Sequence, residues 1–206
     1  MSAECPLTLK RVFDVIAAGM LFLLTLPIWV IAAIGIYCSS TGPVLYYGIR
    51  SGWWGRPFRI LKFRTMVADA ERQGGGTTAL NDPRIFPFGR FLRDYKIDEL
   101  PQLLNVLRGE MSLVGPRPEL PLYTDRYTEK ERKILTVRPG ITDLSSIRFS
   151  SLDKIVGDRD ADEMFEKKVL PEKNRLRLQY VETQSLAGDL KILILTGWCI
   201  LRKICG

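Results

Sequence analysis

The chain has no histidine in 206 residues. That absence removes imidazole acid–base pairs, serine–histidine and cysteine–histidine nucleophiles, and histidine-containing zinc sites. Any catalysis must rest on carboxylates, lysine, arginine or a bound metal. Cysteine is sparse as well. Cys5, Cys38, Cys199 and Cys205 fit neither a CxxC metal or redox motif nor a small disulfide scaffold, and read as reduced thiols near a membrane on a chain whose folded part is cytoplasmic. No GxxxxGK(S/T) pattern occurs, so the glycines Gly74–Gly76 inside "ERQGGGTTALNDPRI" read as a flexible connector and not as a P-loop. Acidic residues are the minority charge, 23 against 30 Lys and Arg, for a net charge of +7. That balance favours anionic partners, and its sign does not choose among nucleic acid, phosphorylated small molecules and an anionic membrane.

What the chain does have is a long apolar run. Val12–Tyr37 holds 26 residues with a single charge, Asp14, enough to cross a hydrocarbon layer of about 30 Å. It is too long for a signal-peptide core and lacks a small-residue cleavage site. Lys10 and Arg11 precede it and Arg50, Arg56 and Arg59 follow it, so the positive-inside tendency asks for both ends on the cytoplasmic side. A straight span cannot satisfy that. Pro27, near the middle, removes a helix hydrogen bond and allows a kink, which predicts a helix that enters and leaves by the same face; a single span with a tolerated proline is the alternative. Arg11, three residues before Asp14 on one helical face, is its expected ion-pair partner.

Downstream, "PVLYYGIRSGWWGRPFRILKFRTM" reads as two short strands around the turn Ser51–Gly55. Alternation puts Lys62 and Arg64 on one face, where they could serve one anion or simply keep an edge strand soluble. In "FGRFLRDYKIDEL", Arg90 and Arg93 fall one helical turn apart. Apolar residues at 100, 103, 104 and 107 form a helical stripe that Gly109 stops, and Pro101 belongs in a first turn, so the helix begins near Asp98. "MSLVG" follows as a short buried strand. It leads into Pro116–Arg117–Pro118, where two prolines stiffen the backbone that aims the guanidinium. "VRPGITDLSSIRF" is a second rigid turn, with Arg138 and Arg148 around it. Ala161–Ser185 reads as a charged amphipathic helix interrupted at Pro171. The final block has only ten uncharged residues, Ile192–Leu201, too few to span, and suits a helix lying in the membrane interface.

The expected fold class is therefore α+β and helix-rich. An N-terminal re-entrant helix-break-helix anchor (1–48) precedes a small cytosolic domain with short strands (49–206), which ends in an interfacial amphipathic helix over about 186–204.

Asp98 and Glu99 stand out in so basic a chain. On spacing alone the commoner role for Asp98 is a helix N-cap, stabilising by about 1 kcal/mol. Against that stand the missing histidines and the basic residues at 62, 64, 84, 90, 93, 117, 138 and 148 around the pair. A phosphate-rich substrate accounts for both, since cations hold phosphates and a carboxylate can attack phosphorus or bind Mg²⁺.

The segments "KRVFDV", "KFRTM", "DPRI", "GRFLR", "DELPQLLNVLRGEMSLVGPRPE" and "RPGIT", in this order across residues 9–148, resemble the bacterial sugar transferases, also called monotopic phosphoglycosyl transferases, in their small form. The resemblance implies transfer of a phospho-sugar from a UDP-sugar to undecaprenyl phosphate at the cytoplasmic face of the bacterial inner membrane, with release of UMP. It also implies a re-entrant anchor broken at Leu26–Pro27. The family's catalytic pair maps onto Asp98 and Glu99, with Asp98 as the nucleophile of a covalent aspartyl intermediate and both as ligands of Mg²⁺. Lys62, Arg64, Arg90, Arg117 and Arg148 become candidate phosphate ligands. Expected partners are the two substrates and the bilayer, with downstream glycosyltransferases and a second copy of the chain as further candidates and no nucleic acid. The segment 143–151, "DLSSIRFSS", departs from the family's usual glycine–tryptophan continuation. The competing class is a non-enzymatic scaffold that docks its basic face on anionic lipid or an assembly partner; it predicts that Asp98→Asn leaves function intact.

Overall fold

The computed structural model describes residues 7–70, 78, 81–149 and 161–205. The glycine connector, Cys5 and the last two residues of the divergent segment 143–151 lie outside these. The first element, α1 (Leu7–Ser39), carries Pro27 inside it. Its segment Leu9–Ser39 is long and apolar enough to cross a membrane, and most of its large apolar side chains, including Leu23, Leu24 and Ile31, are exposed. Drawn out straight, 33 residues would measure about 50 Å.

Both ends of α1 nevertheless pack on the same folded body. Near its start, Ala18 joins a core with Ile60, Leu103, Val106 and Met111. Near its end, Ala32 and Ile36 join a second core with Phe63, Phe86 and Leu92. A Cβ on Gly35 would lie 2.3 Å from the Phe88 ring, so only glycine admits that close approach.

Asp14 is buried, but not against Arg11. It accepts from the Ser112 hydroxyl at 2.7 Å and the Leu113 amide at 3.2 Å, while Arg11 donates to the carbonyls of Leu107 and Met111. The expected pair is replaced because a buried carboxylate at this point meets the free groups of a strand that crosses it, and the longer arginine reaches the end of a neighbouring helix.

The expected hairpin is present. β1 (Leu45–Ser51) and β2 (Pro57–Phe63) pair antiparallel, with Leu45 opposite Phe63 and Ser51 opposite Pro57. The boundary expected at residue 48 falls inside β1, so the hairpin belongs whole to the folded body. Then come α2 (Pro87–Asp94), one 3-10 turn (Ile97–Glu99) and α3 (Gln102–Arg108), closed by Gly109 at φ 87°. β3 (Ser112–Val114) pairs in parallel with β4 (Gly140–Thr142). The backbone just past β3 and that of β4 approach so closely here that a Cβ on Gly140 would stand 2.1 Å from the Gly115 nitrogen.

Short helices α4 (Pro121–Thr124) and α5 (Leu144–Arg148) follow. The charged C-terminal segment is broken earlier than expected. α6 (Ala161–Met164) runs into a π-turn at Phe165–Val169, and α7 (Leu170–Thr183) takes Pro171 into its first turn, where a missing N–H costs nothing. α8 (Leu186–Cys205) buries Asp189 and Ile192 and exposes Leu190, Ile194, Trp198 and Leu201.

Candidate active site

The turn that carries the acidic pair starts on Lys96, a non-glycine residue in the left-handed region at φ 60°. Ile97–Glu99 then makes a single 3-10 turn, and Leu100 and Pro101 continue in helical conformation into α3. No side chain caps either start, so Asp98 is not the N-cap that spacing suggests. It is free for another use.

The two carboxylates sit in opposite electrostatic states. Asp98 is 5% exposed, and its Oδ1 has no hydrogen-bond partner among the described residues. Burial, and next the neighbouring Glu99 charge, push its carboxyl above the usual range. Lys62, Arg93 and Lys96 act in the other direction. Glu99 is the better supported of the two. Arg117 grips both its oxygens, Nη1 to Oε2 at 3.1 Å and Nη2 to Oε1 more closely, and the Lys62 ammonium lies 3.4 Å from Oε1. Burial opposes its ionisation, but Arg117 and Lys62 hold it well below the usual range. Burial also brings Lys62 down to about 8 in spite of Glu99.

Arg117 is aimed as the flanking prolines suggest, and more is done to hold it. Its Nη1 also donates to the Ile141 carbonyl at 3.0 Å, and its own amide donates to Asp143 Oδ2 at 3.0 Å. Asp143 in turn caps α5, accepting from Ser146 N at 2.6 Å and from the Ser145 hydroxyl. Behind it lies Arg177, whose side chain is fully buried on α7. This residue pairs with Glu119 at 2.7 Å and stands 3.5 Å from Asp143. Lys173 adds a second cation 3.6 Å from Glu119.

Of the expected site residues, then, Asp98, Glu99, Lys62 and Arg117 come together. Arg64 and Arg148 are committed elsewhere. The Arg64 guanidinium donates to the Pro43 carbonyl at 2.5 Å and to both the hydroxyl and the carbonyl of Ser40 at 2.8 Å, fastening the chain just past α1. β2 ends at Phe63, so the alternation that put Arg64 beside Lys62 stops one residue short of it. Arg148 lies on the surface, paired with Glu172 at 3.2 Å. Arg90 is half-buried on α2; one turn on, the charge of Arg93 reaches Asp98 and Lys62.

Asp143, Glu119 and Arg177 were not singled out by pattern. Glu119 ends the proline–arginine–proline segment, and Arg177 betrays itself only as a charge on the buried face of α7. Among the described residues no three acidic or thiol side chains gather as a metal cluster.

Residues 5–203 match the family described as "Bacterial sugar transferase". The UDP-glucose:undecaprenyl-phosphate glucose-1-phosphate transferase of Caulobacter vibrioides is 39% identical over 190 residues, covering 91% of this chain and 67% of that protein. The undecaprenyl-phosphate glucose phosphotransferase of Komagataeibacter xylinus is 36% identical, covering 94% of this chain and 36% of that protein. The Escherichia coli K12 UDP-glucose:undecaprenyl-phosphate glucose-1-phosphate transferase is 35% identical, covering 91% of this chain and 39% of that protein. The chain thus spans two thirds of one relative and little more than a third of the other two.

Proposed function

Since the chain belongs to the bacterial sugar transferases, we propose that it moves a sugar phosphate from a UDP-sugar to undecaprenyl phosphate through a covalent intermediate on Asp98. The carrying observation is the unequal pair: a nearly buried carboxylate with an unused oxygen, next to one already neutralised by Arg117 and Lys62. An anion that must approach an anionic diphosphate needs nearby positive charge that is not consumed by its own ion pair. Arg93 and Lys96 supply it beside Asp98, while Lys62 and Arg117 offset the charge of Glu99.

The chemistry divides into two displacements. With Asp98 ionised, one of its oxygens attacks the sugar-bearing phosphorus of the UDP-sugar. The bond from that phosphorus to the bridging oxygen breaks, and UMP leaves with the electron pair. An oxygen of the lipid phosphate then attacks the same phosphorus, and the Asp98 carboxylate departs with its bonding electrons, restored. Charge is conserved in each half, and a single phosphate site serves donor and acceptor in turn.

A magnesium ion fits these residues. Such ions often take one or two carboxylates and complete their shell with phosphate and water, and the unpartnered Oδ1 of Asp98 is a vacant acceptor beside Glu99. When bound, the ion would offset phosphate charge and polarise the reacting phosphorus. The protein's own part is to hold Glu99 with Arg117, and Arg117 with Asp143.

Membrane placement follows the same reasoning. Both ends of α1 pack on one folded body while its middle exposes apolar side chains, which supports entry and exit through the cytoplasmic leaflet of the inner membrane around Pro27. The exposed face of α8, with Arg202 over Trp198, suits the interface of that leaflet. Downstream glycosyltransferases and a second copy of the chain are proposed as partners.

The test is a screen of UDP-sugars by UMP release in membranes or nanodiscs, beginning with UDP-glucose, followed by intact mass with no lipid acceptor. A sugar-phosphate mass on the chain that vanishes in Asp98→Asn is expected. Turnover without that adduct would refute the covalent route, and an Asp98→Asn protein that still turns over would refute the role of Asp98 altogether.

A further inference from the structure

Two buried amides on α3 have opposite fates. Asn105 has no solvent exposure, and every polar atom of its side chain is used: Oδ1 accepts from the Leu61 amide at 2.9 Å, and Nδ2 donates to the Arg59 carbonyl at 2.8 Å and to Glu110 at 2.7 Å. Its work is structural, joining α3 to β2. Gln102, one turn earlier and equally buried, has neither Nε2 nor Oε1 partnered among the described residues. Buried carboxamides are almost always satisfied, because an orphaned one forfeits its hydration for nothing. Gln102 asks for an explanation that packing does not provide.

Its location supplies one. Gln102 follows Asp98 by four residues, and Leu100 and Pro101 keep right-handed helical backbone between the 3-10 turn and α3, so about one helical turn separates the two residues along the chain. Of the seven buried side-chain atoms without a partner among the described residues, four lie within residues 93–102: Arg93 Nη1, Asp98 Oδ1 and both polar atoms of Gln102. Unsatisfied donors and an unsatisfied acceptor thus flank one carboxylate along the chain.

We propose that Gln102 is a further catalytic residue whose carboxamide donates to the group that Asp98 carries during the reaction. This rests on the covalent reading above. Once one Asp98 oxygen is bonded to phosphorus, the other becomes the carbonyl oxygen of an acyl phosphate, and in the second displacement that oxygen regains negative charge as the carboxylate leaves. A donor held one turn away and kept dry is placed to stabilise it. The same interaction is weak in the ground state, where no bond is made, so its contribution falls on the chemical steps more than on UDP-sugar binding.

The experiment compares the parent with Gln102→Met, an apolar side chain of similar length, and Gln102→Asn, which keeps the donor on a shorter arm. Thermal unfolding, kcat and KM for the UDP-sugar, and the rate at which added lipid phosphate discharges the Asp98 adduct are measured for each. Expected for Gln102→Met are a melting temperature equal to or above the parent's, kcat lowered about 10- to 100-fold, KM within about twofold, and slowed discharge. Gln102→Asn should recover part of the lost kcat. A lowered melting temperature for Gln102→Met would mean that the amide serves the fold, and a kcat within about twofold of the parent would mean that it does not serve the chemistry; either overturns the inference. If Asp98→Asn abolishes turnover while Gln102→Met keeps it, the inference falls alone. If the parent yields neither adduct nor UMP, the covalent reading falls and takes the inference with it.

Discussion

Two buried charge clusters flank Arg117, and they differ in completeness. Around Asp98 the pairing is lopsided: Glu99 takes Arg117 and Lys62, while Asp98 and Gln102 keep unpartnered atoms. Around Arg177 nearly every group is matched: Glu119 takes Arg177 and Lys173, and Asp143 takes the Arg117 amide, two serines and the flank of Arg177. The Arg177 Nε has no hydrogen bond, yet it still stands 3.5 Å from a carboxylate. A finished cluster holds its neighbours in place, and an unfinished one is available to a substrate. The contrast predicts that substitutions around Asp98 will act on activity and those around Arg177 on stability.

The largest effect should come from Asp98→Asn. Turnover should drop by about a thousandfold or more, because on the proposed covalent route a carboxamide cannot take the carboxylate's place as nucleophile. The melting temperature should hold or rise, since a buried carboxyl in this environment already resists its charge. UMP release and thermal unfolding on one preparation check both halves.

Arg177→Met should do the reverse. It strips Asp143 of its buried cation, leaves Glu119 with Lys173 alone, and should cost about 3–5 kcal/mol of stability, read from denaturant unfolding. Whatever fraction remains folded should keep KM for the UDP-sugar near the parent's. A large loss of activity at full stability would erase the distinction between the clusters.

A smaller, pH-dependent effect is expected at Lys173. Burial lowers its ammonium from 10.5 to about 8 despite Glu119. Between those values the unfolded chain binds the proton and the folded chain has released it, so this lysine's contribution to stability rises with pH across about 8 to 10.5 and is least favourable below 8. Subtracting the melting curve of Lys173→Met from that of the parent across this range should expose the rise; a flat difference would show that the finished cluster carries no such penalty.

Arg148→Ala should do least. Its pair with Glu172 is exposed and is worth at most about 1 kcal/mol, and turnover should stay within about twofold of the parent. A tenfold fall would bring Arg148 back among the phosphate ligands and extend the unfinished cluster as far as α5.

Much of this was legible along the chain. The hairpin, the stripe at 100, 103, 104 and 107, the glycine stop at 109 and the stiff proline–arginine–proline segment all rest on neighbours within a few residues, where periodicity and φ restriction act directly. The missing histidines, the apolar run and the acidic pair in a basic chain narrowed the chemistry to carboxylates and cations on phosphate near a membrane. The partners of long charged side chains were another matter. Arg64 and Lys62 stand two positions apart, yet one fastens the end of α1 and the other faces Glu99. Asp14 chose a strand 98 residues away over an arginine three residues away, and Arg177 became the support of Arg117 only because α7 packs behind Asp143. Composition and local pattern determined which groups were available and which segments would be helix or strand. Tertiary packing decided which carboxylates were neutralised and which were left open, because desolvation and pairing depend on what approaches from distant parts of the chain.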